Sequence, residues 1–104
     1  MEKKQVVWTK TALKKLERLF KFIAFEKKQP QNAENLVKDL QKFAETLSEN
    51  YNLYPKEEEI SNKRISYRSA AFKKNYRLIY RVSNPFVFIS NLFHNSRNPK
   101  NKLK

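Results

Sequence analysis

The apolar residues of this chain change their period once, and that change limits the folds open to it. Between Thr9 and Leu47 they recur about every 3.6 residues, as on one face of a helix; between Arg64 and Phe93 they recur about every 2, as along a strand. Residues 4–8, KQVVW, read as a short strand before the helical part. Thr9 then offers a hydroxyl to cap a helix. Leu13, Leu16, Phe20 and Ile23 follow at i, i+3, i+7 and i+10, flanked by Ala12, Leu19 and Ala24. This predicts a helix of about 18 residues ending before Pro30. A second helix is expected from a cap at Asn32, with Glu34 in its first turn. Its stripe is Ala33, Leu36, Val37, Leu40, Phe43, Ala44 and Leu47. Joined near residues 29–31, the two form an αα-hairpin.

Residues 50–63, NYNLYPKEEEISNK, read as a loop. Strands are expected at 64–68, 76–82 and 86–93. The last, FVFISNLF, is apolar on both faces, as in a central or covered strand. The connections fall at 70–75 and 83–85. The chain has no Gly, so Asn75 and Asn84 are the expected residues where a turn needs positive φ. The fold class is α+β, in the order β–αα–β–β–β, with an N-terminal helical hairpin packed on a small, mainly antiparallel twisted sheet. The 104 residues form a single domain, 1–104, with a polar basic tail from about 95. Trp8 is expected in the core at the edge of the first strand. Tyr67, Tyr76 and Tyr80 are expected on the helix-covered sheet face, with Arg68, Arg77 and Arg81 on a basic, concave opposite face.

Composition narrows the chemistry. Without Cys there are no disulfides, thiolate metal sites or cysteine nucleophiles, and without Gly there are no Gly-rich phosphate loops. One His makes a His-based metal site implausible, so no metal and no cofactor is expected. No apolar run approaches the roughly 20 residues of a membrane span, and MEKKQVVW does not resemble a signal peptide. A cytoplasmic protein without a membrane partner is expected.

The net charge of +13 is unevenly distributed. Residues 1–59 hold all 10 acidic residues against 12 Lys and Arg, whereas residues 60–104 hold 11 Lys and Arg and no acid. A purely basic segment points to a polyanion or an acidic protein partner.

The order of these pieces resembles the RelE/ParE superfamily of bacterial type II toxin–antitoxin toxins, and the ParE-like branch more than the RelE-like. The resemblance is carried by VVWTKTALKKLERLFKFI, NAENLVKDLQKFAETL, LYP, YRSAAFKKNYRLIYRV and VFISNLFHNSRNPKNKL, which together span nearly the whole chain. It implies a growth-inhibiting bacterial toxin, neutralised by a cognate acidic antitoxin in a toxin–antitoxin hetero-oligomer. Two targets follow from the resemblance: DNA gyrase for ParE-like members, or the ribosome with its mRNA for RelE-like members.

Metal-free RNA cleavage needs a base for the 2′-OH, cations at the phosphorane and an acid for the leaving oxygen. Arg68, Arg77, Arg81, His94 and Arg97 are the candidate catalytic or target-contacting residues. By resemblance, Arg77 in YRLIY matches the arginine that RelE-like enzymes place at the scissile phosphate, Arg68 matches another arginine of the active surface, and Arg97 lies near the family's C-terminal arginine. Two departures favour the ParE-like branch: no Tyr or His follows Arg97, and Ser66 stands where a basic residue is expected. Phe22, Phe25, Arg77 and Arg81 are the candidate antitoxin contacts. Phe25 falls among Lys14, Arg18 and Lys21 on the helical wheel, opposite Leu13, Leu16 and Ile23.

Overall fold

Thr9 joins strand β1 (Gln5–Trp8) to helix α1 (Lys10–Lys21) in the computed structural model, which describes residues 3–57, 61 and 64–94. Its hydroxyl accepts from the Ala12 N–H at 3.3 Å and lies 2.8 Å from the Ile89 carbonyl, to which it donates. These bonds hold the first helical turn against the sheet, where only a small residue fits. Ala12 is accordingly buried and Leu13 is 48% exposed, contrary to the stripe expected through Leu13. The covered line of α1 is Ala12, Leu16 and Leu19.

Beyond Lys21 the helix widens into a π-helical turn at Phe22–Glu26, closed by Lys27 N–H to Phe22 O at 3.1 Å. The Gln29 N–H then reaches the Ile23 carbonyl at 3.0 Å, and Lys28 takes φ 56°. A lysine fills the left-handed position that glycine usually fills after a helix. Helix α2 (Pro30–Asn50) begins two residues before the expected cap at Asn32. Gln29 occupies the cap, and Pro30 sits where its missing N–H is not required.

Strands β2 (Tyr67–Phe72), β3 (Tyr76–Ser83) and β4 (Phe86–His94) complete a sheet of order β1-β4-β3-β2. β1 is parallel to β4 and the other pairings are antiparallel. β4 is the central strand its two-sided apolar pattern predicts. β2 starts three residues later than expected and runs on to Phe72. In the following turn, positive φ falls on Lys73; among the described residues neither Asn75 nor Asn84 takes it, and Asn84 is joined to Pro85 by a cis bond.

Ala12, Leu16 and Leu19 of α1 and Leu36, Leu40, Ala44 and Leu47 of α2 pack on Ala70, Leu78, Tyr80, Val87, Ile89 and Leu92 of the sheet. Trp8 packs against this core from the edge strand, as expected. The β3–β4 register shifts between Ile79 and Tyr80, so that Leu92 lies opposite Leu78 and Ile89 opposite Tyr80. The extra residue lets both β4 side chains face the helices despite their odd spacing.

Tyr80 is fully buried, and its hydroxyl donates to the Tyr51 carbonyl at 2.8 Å. Burial pushes its phenol up to about 12, against the opposing influence of the Arg68 guanidinium. The folded state therefore retains this proton at a pH where an unfolded tyrosine, with a pKa of about 10, has lost it. Tyr80's contribution to stability is complete below pH ~10 and is lost as the pH rises toward about 12. Urea unfolding across that range is expected to show a decline, and Tyr80→Phe to remove this component of it.

Candidate interaction face

Register assigns each candidate side chain to a face, because residues directly opposite in a ladder point the same way. Tyr80 faces the helices and lies opposite Arg68, so Arg68 faces them too. Tyr67 lies opposite Arg81, on the reverse face. Both assignments correct the sequence expectation, which had Arg68 outward and Tyr67 inward. Tyr76 and Tyr80 are on the helix side, as expected. The Arg68 guanidinium donates to the Tyr54 carbonyl at 2.6 Å, tying the segment after α2 to the sheet. Arg68→Met is expected to lower stability by about 1–2 kcal/mol, through loss of a charge-assisted bond to a partly buried carbonyl; a urea midpoint measures this.

His94 also belongs to the helix side. It lies opposite Tyr76 and stacks on it, with ring centroids 4.6 Å apart and planes 14° apart. Burial raises the Tyr76 pKa above its ordinary value. Arg97 lies outside the described residues, as do the tail lysines Lys100, Lys102 and Lys104.

The reverse face carries Arg77, Ile79 and Arg81 from β3, Tyr67 and Ser69 from β2, and Phe86 and Phe88 from β4. Val7 joins them, opposite Phe88. Phe86 and Phe88 are 5.5 Å apart, and the Arg81 guanidinium lies 4.5 Å from the Phe88 ring centre. Such an arginine keeps its apolar stem and flat face against the aromatic while its N–H groups remain available at the rim. Of the three arginines expected on a basic sheet face, Arg77 and Arg81 lie here, beside an aromatic floor of Phe86 and Phe88.

Arg77 is engaged within the chain. Its guanidinium donates to the Glu57 carboxylate at 2.9 Å, with both side chains about three-quarters buried. Residues 55–57 run along the outer edge of β2: Ser69 N–H donates to the Pro55 carbonyl at 3.0 Å, and Glu57 N–H to the Tyr67 carbonyl at 2.7 Å. Glu57 thus starts level with Tyr67 and Arg81 and reaches diagonally to Arg77. The pair crosses the Ser69–Ile79 row, and both of those residues are buried. Sequence reasoning missed Glu57 because three consecutive glutamates read as a solvated loop. It also missed Phe86 and Phe88, although their alternation with Val87 and Ile89 assigns them to the second face of the strand.

Phe22 and Phe25 lie outside the sheet, on the π-helical turn. Phe25 is 68% exposed and shares a shallow recess with Arg18, Lys21, Phe22 and Glu26. The Lys27 ammonium lies 5.6 Å from the Phe22 ring centre. No described helix is long and apolar enough to cross a membrane. Among the described residues, no three His, Asp or Glu cluster as metal ligands.

The family described as the ParE toxin of the type II toxin–antitoxin system, parDE, matches residues 6–99. The chain is similar in structure to a solved chain of the chromosomal ParDE system from P. aeruginosa, with a TM-score of 0.70 and 15% identity. The match covers 88% of this chain and 95% of that one. No curated protein matches the sequence.

Proposed function

The chain belongs to the ParE toxin family of type II toxin–antitoxin systems, and from that premise we propose that it arrests bacterial growth by acting on DNA gyrase without cleaving RNA. The observation that carries this reading is the division of the candidate groups between two faces. Arg77 and Arg81 lie on the reverse face, whereas Arg68 and His94 lie on the helix side, one bonded to Tyr54 and the other stacked on Tyr76. Metal-free cleavage needs its base, its acid and its phosphate-binding cations around one phosphorus atom. Groups on opposite sides of a sheet do not meet that condition.

In this reading Arg81 and the Phe86–Phe88 floor meet the target, and a cognate acidic antitoxin neutralises the toxin through Arg77, Arg81 and the Phe22–Phe25 recess in a hetero-oligomer. The structural similarity to a chain of the P. aeruginosa ParDE system supports such pairing. The cytoplasm, where gyrase and the ribosome work, is the compartment this reading requires.

The test is inducible expression with and without the neighbouring gene. The chain alone is expected to stop growth and induce a DNA-damage response, and co-expression to restore growth. Unimpaired growth in both arms overturns toxicity. Growth arrest with codon-positioned mRNA cuts and no DNA-damage response replaces this reading with the ribosome-dependent one.

A further inference from the structure

We propose that Glu57 is an internal competitor for a carboxylate-binding site at Arg77, and that an acidic peptide segment of a partner binds there by displacing it. The proposal deepens the reading of the reverse face as an antitoxin contact and rests on that reading.

Arg77 and Glu57 form a hydrogen-bonded pair at 2.9 Å, partly shielded from water, so the site already accommodates a carboxylate. The residues around the pair limit what else could occupy it. Residues 60–104 contain no acid, so β2, β3 and β4 supply no second carboxylate to Arg77. Glu57 arrives on a three-residue strap that the two backbone bonds to Ser69 and Tyr67 hold along the edge of β2. A strap held in this way can release its side chain without disturbing the core, none of whose residues it contributes.

The neighbouring groups favour a peptide. Two residues along the same face beyond Ile79, Arg81 lies against Phe88, with Phe86 and Val7 continuing the apolar floor. An extended segment that places one carboxylate on Arg77, a second near Arg81 and an apolar residue on Phe86 complements this surface. A four-residue step along a strand spans about 13 Å, the distance between alternate same-side residues of a second extended chain. The +13 net charge draws an acidic partner and repels a second copy of this chain.

The test compares binding of hexaglutamate and of hexauridylate to the full-length protein, to Glu57→Gln and to the double variant Glu57→Gln/Arg77→Ala. Removing the competitor is expected to tighten hexaglutamate binding about fivefold, the size of a partly exposed ion pair, and Arg77→Ala to abolish the gain. Glu57→Asp retains the charge on a shorter side chain and is expected to show the same tightening, which covers the case in which the amide variant does not fold. Equal hexaglutamate affinity in the wild type and the folded Glu57 variants overturns the proposal. Tightening confined to hexauridylate also overturns it, in favour of a phosphate ligand. Growth rescue by the neighbouring gene reports separately on the antitoxin reading: rescue with no change on altering Glu57 rejects only the competitor, whereas absence of rescue rejects the reading beneath it.

Discussion

Arg81→Ala is expected to raise surviving colonies at least about tenfold while leaving the unfolding free energy within about 1 kcal/mol of the parent. Arg81 contributes little to the fold. Its guanidinium lies over Phe88 on the reverse face, and among the described residues it forms no ion pair. Its removal forfeits one cation–π contact, on the Phe88 ring, of about 0.5–1 kcal/mol. In the proposed mechanism the same group meets the target, where loss of a central arginine costs about 2 kcal/mol or more, well over tenfold in affinity. Arg68→Met provides the opposite pattern, with stability lost and contact with the target unaffected in any correctly folded fraction. If the two variants exchanged these phenotypes, the assignment of faces would be wrong.

Leu40→Ala is expected to lower unfolding free energy by about 3 kcal/mol. Leu40 is fully buried near the middle of α2, among the residues that join both helices to the sheet. Truncation removes the transfer free energy of three carbons and leaves a cavity lined by elements too firmly connected to collapse into it. A domain of this size has about 5–15 kcal/mol in total, so the loss is a large share, and the thermal midpoint is expected to fall by more than about 10 °C. Leu53→Ala is the control: the side chain is exposed in the segment after α2, and its truncation is expected to change the unfolding free energy by no more than about 0.5 kcal/mol.

The helices were legible because their stripes were long. Five of the seven apolar positions read on α2 are buried, and the remaining two, Val37 and Phe43, pack against the core. The central place of β4 was equally plain from its two-sided pattern. The first helix misled at Leu13, because the tie from Thr9 to Ile89 brings the backbone too close to the sheet for a leucine. The reversal of Arg68 and Tyr67 has a similarly local cause. Read as a strand ending at 68, the segment is oriented by its tyrosine. Continued to Phe72, it is oriented by Ala70, which is fully buried and shares a face with Arg68 and Phe72. A shift of one position exchanges the faces of every residue in a strand, and arginine tolerates the inner position because its stem packs while its head finds a carbonyl. The Glu57–Arg77 pair joins residues 20 apart through strand pairing, which no local pattern in the sequence encodes.

The division of Arg68 and His94 from Arg77 and Arg81 leads to one decisive measurement: supercoiling of relaxed plasmid by purified DNA gyrase, with the purified chain added to saturation and mRNA cleavage by programmed ribosomes followed in parallel. Loss of supercoiling with the parent, its recovery with Arg81→Ala, and intact mRNA throughout are the predicted results. Normal supercoiling at saturating toxin, together with codon-positioned cleavage of the mRNA, would contradict the account.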